Sequence, residues 1–428
     1  MEFIGGNMRR PLLIIFIFLL ITSYFYINNK TLDNIKDKKK ITIEGVVKNK
    51  IEKEHYDQYV IQKYLVNDYS RKLNIKIGEV VKINGNIKSL NKMNYEDFNY
   101  GRYVRSMGYK GVIQTESYTI VGDNKLYIFI GKLKTHMRDT FRYLYKNKSD
   151  FINSIVLGEK SNLNDEEKDM FSKTGTSHVI AVSGLHTGIL CTMIALIVRE
   201  INRLYKLIIL IIIMILYSMM IGFTPSVIRS IAFVVVMYLS IFLCRKRDGI
   251  STLSFIGIFL LIDNPYIIYN VSFQLSFLAT LSIIYFYKII NDYVKIDLIS
   301  VSIAANILTM PVIYYTFKGI PLLFLLGNII IVPVVGIIIN LSIISIILFE
   351  ISIIFSKILA YMNKSIIIVV YYLLDKLSMM KLTYIEIENP KLFYVTFYYI
   401  LIFSYMIYRE LKIMKEQENE LQGYYKEY

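Results

Sequence analysis

The chain alternates between long apolar runs and one extended polar stretch, and this pattern predicts its organisation. A membrane span needs about 20 mostly apolar residues. Runs near that length recur from residue 179 onward, whereas residues 30–177 contain none. We predict a polytopic α-helical membrane protein of about ten spans, at residues 12–27, 179–198, 204–221, 227–244, 250–262, 271–290, 298–317, 320–349, 358–374 and 392–408.

Two details qualify this pattern. No small-x-small cleavage site follows the first run, so we interpret residues 1–29 as an uncleaved N-terminal anchor rather than a signal peptide. The run 320–349 contains Pro321 and Pro333, which interrupt it.

Positive charge in the short loops predicts how the spans are oriented. Lys and Arg occur at alternate ends of successive runs, at residues 9–10, 199–206, 245–247 and 288–295. The opposite loops, residues 222–225 and 263–270, contain no Lys or Arg. We therefore expect a multi-pass protein of the cell membrane, with both termini in the cytoplasm and residues 30–177 outside.

The outside region begins with a strand pattern. Residues 41–48 and 79–88 alternate apolar and polar positions, and residues 59–66 form a third short apolar run. Asn84-Gly85 fits either a hairpin turn or a bulge within a coiled strand. Several short strands without helices between them predict a small all-β barrel, similar to an oligonucleotide-binding (OB) fold.

A helical pattern follows the barrel. Met137, Phe141 and Leu144 form an amphipathic stripe that fits a membrane interface. Asn164 and Glu167 have the spacing of a capping box, and we expect the helix that they open to end near Gly175. The predicted domains are the anchor 1–29, an extracytoplasmic OB-like domain 30–125, an amphipathic connector 126–177, a membrane domain 178–409 and a cytoplasmic tail 410–428.

Composition agrees with this division and adds a charge asymmetry. The chain is 54% apolar and 19% charged, against about 25% charged residues in an average soluble domain, which excludes an ordinary soluble enzyme. The net charge is +15, and residues 30–150 hold 25 Lys and Arg against 14 Asp and Glu. Most of the positive excess is therefore predicted to lie outside the cell. Cys191 and Cys244 lie in apolar runs and are typical of small buried side chains.

Two partners fit this basic region. Single-stranded nucleic acid binds where cations follow its phosphates and aromatic rings stack on its bases. Anionic lipid headgroups also attract a basic face. Several tyrosines lie among the lysines of this region, and Tyr69 is one of them. The candidate DNA contacts are Tyr56, Tyr59, Lys63, Tyr64, Lys76, Lys82 and Lys88.

The most unusual segment is residues 174–188, which enters the bilayer with glycines, hydroxyls and two histidines. Ser183 with His186 is a candidate nucleophile and base, but the flanking residues lack the G-x-S-x-G pattern. His178 and His186 are a candidate metal pair that lacks a third obvious ligand. The third interpretation is a closely packed helix break that lines a polar pathway, because broken helices at membrane depth must face protein or water. Its candidate residues are Ser177, His178, Ser183, Gly184, His186 and Gly188.

Other predicted spans also carry polar residues. Arg229 lies about one turn inside its span, where a guanidinium needs a partner or water, unless it reaches back to the headgroups. Gln274 and Asn328 place amides in two further spans. We expect residues 175–188, Arg229 and Gln274 to converge on one water-accessible cavity, in which Arg229 offers a cation to passing phosphates.

These residues carry a resemblance to a known family. The chain resembles the ComEC-type competence proteins in an ordered motif series: Leu157-Gly158-Glu159, Gly175-Thr176-Ser177-His178, Ala181-Val182-Ser183-Gly184-Leu185-His186, Gly222-Phe223-x-Pro225-Ser226-x-x-Arg229, Asn264-Pro265 and Phe273-Gln274-Leu275-Ser276-Phe277. Residues 76–85 and 98–103 resemble the family's OB-like domain. The resemblance implies a channel component, not an enzyme, that imports one DNA strand during natural transformation.

The resemblance also sets expectations about partners. Many family members end in a metallo-β-lactamase-like domain, whose H-x-H-x-D-H metal motif is not found in this sequence. We therefore expect a shortened member that works with a separate nuclease, and we expect no metal and no cofactor. Because no G-x-x-x-x-G-K-[ST] loop occurs, a cytoplasmic ATP-driven motor is implied, together with a surface DNA receptor. The sequence leaves open a homo-oligomer, a transporter of a small solute or lipid, and an intramembrane hydrolase.

Overall fold

The computed structural model describes residues 10–29, 39–53, 55–71, 73–95, 98–242 and 248–426. The expected charges at Arg9 and at residues 245–247, together with Cys244, lie outside the described residues. The helices are α1 Pro11–Asn29, α2 Tyr100–Ser106, α3 Lys125–Tyr145, α4 Ser149–Leu157, α5 Asp165–Lys173, α6 Gly184–Ile197, α7 Arg203–Ile221, α8 Pro225–Phe242, α9 Gly249–Asp263, α10 Val271–Val294, α11 Asp297–Phe317, α12 Phe324–Ile351, α13 Ile353–Ser378 and α14 Leu392–Lys426. The strands are β1 Lys39–Glu52, β2 Asp57–Ile61, β3 Tyr64–Asp68, β4 Glu79–Lys88, β5 Asn94–Tyr95, β6 Phe98–Asn99, β7 Gly111–Asp123, β8 Gly319–Pro321 and β9 Tyr384–Glu386.

Five of the strands close into a barrel in the order β1-β2-β3-β7-β4. Strands β3 and β7 run parallel, and the other pairs are antiparallel. In β4 the alternation has a direct cause, since Val81, Ile83 and Ile87 enter the core while Lys82 and Asn84 face solvent. The predicted small barrel is therefore confirmed.

Two local expectations about the barrel are resolved by the structure. Asn84-Gly85 is no hairpin turn: the pairing of β4 with β7 shifts register between these two residues, as at a bulge. A side chain at Gly85 would collide with the Gln114 carbonyl, which explains the glycine. The single strand predicted at residues 59–66 is wrong, because β2 and β3 turn back on each other at Gln62-Lys63, where Gln62 has φ 52°.

The remaining fold is mostly helical. Seven described helices, α1, α7, α10, α11, α12, α13 and the Leu392–Ile413 part of α14, are long and apolar enough to cross a membrane, and three shorter apolar helices lie at Gly184–Ile197, Pro225–Val236 and Gly249–Asp263. The interruption expected in 320–349 occurs at β8, which contains Pro321, whereas α12 continues through Pro333. Helix α14 extends without a break into the residues predicted as a tail.

The connector helices form part of the main core. Phe141 on α3, Phe151 on α4 and Phe171 on α5 are almost completely buried against residues of α7, α12 and α13. The Tyr145 hydroxyl lies 3.1 Å from Ser345 Oγ and accepts a hydrogen bond from Asn363 Nδ2 at 3.1 Å. The stripe of Met137, Phe141 and Leu144 thus packs on protein, and its assignment to a membrane interface is corrected.

A polar joint holds the barrel on the helical region. Asn264, before the 3₁₀ turn Pro265–Tyr269, donates from Nδ2 to the Arg105 carbonyl of α2 at 2.8 Å. Asn270, after that turn, donates to the Ser106 carbonyl at 3.5 Å. The Arg102 guanidinium lies 4.3 Å from the centre of the Tyr269 ring. We call these contacts the α2 joint.

Candidate functional site

The helix break between α5 and α6 is built by close backbone packing. Helix α5 begins at the cap Asn164, which accepts from the Glu167 amide, and ends beside Gly175, as the sequence predicts. Gly175 has φ +71°, and an added Cβ would lie 2.6 Å from Phe324 Cβ of α12. A side chain at Gly327 would collide with the Thr174 carbonyl. The break is therefore wedged against the first turn of α12.

Helix α6 begins five residues later than the predicted span, at Gly184, and Ser183 caps it. The Ser183 hydroxyl accepts from the Leu185 amide at 3.3 Å, and His186 Nδ1 accepts from the Ser183 amide at 3.2 Å. This reciprocal arrangement is a capping box, and it explains why Ser183 Oγ lies 3.2 Å from the imidazole. His186 is only 1% exposed, so the pair serves the start of the helix.

Arg229 lies inside the helix packing. It is 8% exposed and donates from Nη1 to Thr280 Oγ1 of α10 at 2.6 Å. A Cβ added at Gly184 would lie 3.2 Å from Arg229 Nη2 and 3.1 Å from Ser230 Oγ, so α6 and α8 approach closely here. Arg229 therefore joins three helices. Its guanidinium is buried and Nε has no hydrogen-bond partner among the described residues, so the role expected of it toward passing phosphates stays a prediction.

The side-chain amides of Gln274 and Asn328 lie in separate surroundings. Gln274 donates from Nε2 to the Ile268 carbonyl at 2.7 Å and so fastens α10 to the 3₁₀ turn. Asn328 is 6% exposed, and its Oδ1 has no hydrogen-bond partner among the described residues. The structure brings Gly184 and Arg229 together, whereas Gln274 contacts the 3₁₀ turn, and the expected cavity shared by all three stays a prediction.

Accessible positions lie along the same segment. Ser177 and His178 are exposed. No heavy atom lies within 4 Å of a Cβ added at Gly188, apart from its own chain neighbours and helix backbone, so open space adjoins α6 there. Of the residues predicted to line a pathway, Ser177 and His178 are exposed and Gly188 adjoins open space, Ser183 is half-buried, and His186 and Arg229 are buried.

In the barrel, the structure separates the candidate tyrosines. Tyr59 is 0% exposed, and its hydroxyl donates to the Leu73 carbonyl at 3.0 Å, so it belongs to the core and is removed from the stacking candidates. Tyr64 is half-buried and packs on the same core. Lys82 on β4, Lys63 in the turn between β2 and β3, and Lys76 in the loop before β4 are exposed.

An aromatic cluster lies beside the α2 joint. The Tyr56 and Tyr69 rings are 5.0 Å apart, and Lys88 Nζ lies 5.4 Å from the Tyr69 ring. The Tyr100 and Tyr103 rings of α2 are 6.0 Å apart, and Tyr100 is also an electrostatic neighbour of Tyr56 and Tyr69. We call Tyr56, Tyr69, Tyr100 and Tyr103 the tyrosine patch.

Sequence reasoning missed half of this patch, as well as Thr280. Tyr100 and Tyr103 belong to a seven-residue helix between strands that the strand pattern did not reveal. Thr280 lies in an apolar helix, and only its position one turn after Ser276, whose carbonyl it bonds at 2.9 Å, hints at a polar face. Among the described residues, no group of three or more His, Cys, Asp or Glu side chains is placed to hold a metal ion.

Comparison with known proteins identifies the helical region. The profile of the Competence protein family matches residues 155–412, which include the helix break and Arg229. Over 193 residues the chain is 31% identical to ComE operon protein 3 of Bacillus subtilis (strain 168), covering 44% of this chain and 25% of that protein. An uncharacterized protein of Aquifex aeolicus (strain VF5) is 30% identical over 188 residues, which cover 42% of this chain and 45% of that protein.

The chain thus aligns with less than half the length of either relative. No solved structure matches it. The family match spans more than half of the chain, from the end of α4 into α14. On this evidence the chain belongs to the Competence protein family.

Proposed function

We propose that this protein is a membrane channel component that imports single-stranded DNA during natural transformation. The match of the Competence protein family to residues 155–412 carries the proposal, because the matched helices contain the break, the buried Arg229 and the open space at Gly188. A purely structural anchor does not need these features, since polar groups and broken helices at membrane depth are costly unless they line protein or water.

The barrel supplies the first contact with the strand. Cations that follow phosphates provide a binding free energy that depends steeply on salt, and Lys63, Lys76 and Lys82 are exposed on the barrel domain. Exposed rings add stacking, which tolerates any base. Tyr69 and Tyr103 are 48% and 41% exposed, and Lys88 lies beside Tyr69. The tyrosine patch is therefore the place in this domain where bases stack.

The α2 joint connects that surface to the helices. Tyr100 and Tyr103 lie on the same helix as Arg102, which covers the Tyr269 ring, and Arg105, whose carbonyl accepts from Asn264. A strand held on the tyrosine patch is thus held next to the turn that leads into α10. This proximity supports the transfer of DNA from the barrel to the helical region.

The orientation and the partners belong to the same proposal. About ten spans follow from the apolar runs, and cytoplasmic termini with residues 30–177 outside follow from the charge pattern of the loops. An outside barrel meets DNA before the membrane does, which agrees with import. A surface receptor, a cytoplasmic ATP-driven motor, a separate nuclease and self-association into a homo-oligomer are the partners that the resemblance implies, and lipid surrounds the apolar helices.

The proposal is tested by uptake of labelled DNA into cells of the source organism. We expect deletion of the gene to abolish uptake into the cytoplasm and the full-length chain to restore it. In parallel, the full-length chain in nanodiscs should bind a single-stranded oligonucleotide with an affinity that falls steeply as salt rises. Unchanged uptake in the deletion strain would overturn the proposal, whereas binding of a small solute that is indifferent to salt would favour a transporter.

A further inference from the structure

The helical region needs an accessible cation if a phosphate chain passes through it, and Arg229 is buried and donates to Thr280 Oγ1. Lys160 is the alternative. It opens a 3₁₀ turn, Lys160–Asn162, that follows α4, and its side chain is exposed. Among the described residues, no carboxylate forms an ion pair with it.

The packing of Gly158 places this turn against the helix break. Gly158 has φ +74°, and a Cβ added there would lie 3.7 Å from Val182 Cγ2 and 3.6 Å from Ile221 Cβ. Val182 belongs to the break, directly before the cap Ser183. The Lys160 ammonium and the His178 ring both lie within electrostatic reach of the His186 imidazole. Lys160 and the exposed His178 are thus both electrostatic neighbours of the capping histidine.

The carboxylate of the preceding residue, Glu159, pairs with other cations and not with Lys160. Glu159 Oε1 lies 3.5 Å from Lys134 Nζ and 3.7 Å from Arg138 Nη1, both on α3, and this triad is largely buried. Burial lowers the pKa of the Lys160 ammonium, and no carboxylate opposes that effect. An ammonium that solvent reaches but that is partly desolvated and has no carboxylate partner gains from an anionic ligand, which would replace the lost hydration.

We propose that Lys160, with Ser177 and His178, forms a phosphodiester-binding site at the entrance to the helix break. The inference rests on the proposed function and names the group that meets the DNA backbone. Lys160 supplies the charge, the Ser177 hydroxyl and the His178 ring offer hydrogen-bond donors, and neither base identity nor sugar is read. Arg229 holds α6, α8 and α10 together and is not part of this site.

The test compares Lys160→Gln and Lys160→Arg with Lys132→Gln, an exposed lysine on α3 with the same loss of charge. The full-length variants are placed in phosphatidylcholine nanodiscs, and oligonucleotide binding is measured across a salt series. We expect Lys160→Gln to reduce the slope of log affinity against log salt by about 0.7, the value for one phosphate contact on a single strand. Lys160→Arg should retain the slope, and DNA uptake by cells should follow the same order.

A second arm of the experiment distinguishes the two possible sources of the phosphodiester, which are DNA and a lipid headgroup. Wild type and Lys160→Gln are compared with and without phosphatidylglycerol in the nanodisc. If the site holds a lipid headgroup instead of DNA, Lys160→Gln will leave the salt slope of oligonucleotide binding unchanged in phosphatidylcholine and will bind less phosphatidylglycerol than wild type, and the DNA assignment is wrong. If Lys160→Gln matches Lys132→Gln in slope and uptake while wild type imports DNA, the inference fails and the proposed function stands. If wild type neither binds nor imports DNA, the proposed function itself fails.

Discussion

The barrel and the helix break use the same kinds of polar residue in opposite ways. On the barrel, Lys63, Lys76 and Lys82 point into solvent, so the charge counted in the sequence is available to a ligand. In the helical region, Ser183, His186 and Arg229 form a helix cap and a contact between helices, while His186 Nε2 and Arg229 Nε are buried without a hydrogen-bond partner among the described residues. The comparison teaches that a polar residue inside a bundle is first a packing element, because an unpaired buried group costs about 1–3 kcal/mol.

The largest effect that would sharpen this comparison is expected from Gly184→Leu. A Cβ there already lies 3.1 Å from Ser230 Oγ and 3.2 Å from Arg229 Nη2, so a leucine forces α6 away from α8. We expect the variant to lose both thermal stability and DNA uptake. Gly188→Leu is the matched control, since open space surrounds its Cβ position. It should keep the melting temperature of wild type and lose uptake only, by filling the pathway.

Equal melting temperatures for Gly184→Leu and wild type would break the comparison, because the close contact would then be absent. Normal uptake by Gly188→Leu would place the open space outside the pathway.

The next effect concerns the tyrosine patch. Tyr69→Ala should weaken oligonucleotide binding by about 1–3 kcal/mol, the contribution of one stacked base, without destabilising the barrel, because the ring is 48% exposed. Tyr59→Phe is the matched control. It removes the hydroxyl that donates to the Leu73 carbonyl, so it should lower stability and leave DNA binding unchanged. The opposite ranking of the two variants in the binding assay would contradict the assignment of the patch.

The pair of Arg229 and Thr280 gives an intermediate effect. In a double-mutant cycle of Arg229→Met and Thr280→Val, the melting curves should show a coupling of about 0.5–3 kcal/mol, because the guanidinium donates to the hydroxyl at 2.6 Å inside the bundle. Additive effects would mean that the two side chains do not interact. The Arg229 guanidinium would then lack the Thr280 hydroxyl as a partner and would be available to passing phosphates.

The smallest effect is a pH dependence of the barrel. Burial raises the pKa of the Asp68 carboxyl, but hydrogen bonds from the Ser70 hydroxyl and the Leu73 and Ser70 amides outweigh it, so the pKa lies below its ordinary value of 3.8. A lowered folded pKa contributes stability above pH 3.8 that is lost as the pH falls through the folded value. We expect this loss in melting curves of the wild type below about pH 4, and a smaller one in Asp68→Asn.

The sequence predicted what depends on neighbours along the chain. The alternation of β4 reproduced Glu79–Lys88, and the cap at Asn164 marked the start of α5. It did not predict what depends on distant partners. The α2 joint links Asn264 to Arg105, and the stripe of α3 packs on helices about 200 residues further along. Periodicity shows that a face is apolar, but it does not show what covers that face.

The same limit applies to the candidate site. The motifs located the break and Arg229, because glycine, hydroxyl and charged residues stand out in apolar runs. They selected Arg229 and did not indicate Lys160, because depth in the predicted span is visible in sequence, whereas the hydrogen bond to Thr280 and the packing of Gly158 against Val182 are tertiary contacts. Exposure, rather than residue type, separates the two cations.

The central claim is that one strand passes from the tyrosine patch to the helix break, and crosslinking during uptake tests it most directly. Tyr69→Cys, Gly188→Cys and Ile197→Cys would be introduced singly, and cells would take up DNA carrying a thiol-reactive backbone. Ile197 is 74% exposed and lies nine residues beyond Gly188 on α6, which is half a turn around the helix axis, so it is the lipid-side control. We predict crosslinks at residues 69 and 188 and none at residue 197. Crosslinks at residue 69 alone, or equal crosslinking at residues 188 and 197, would contradict passage of the strand beside α6.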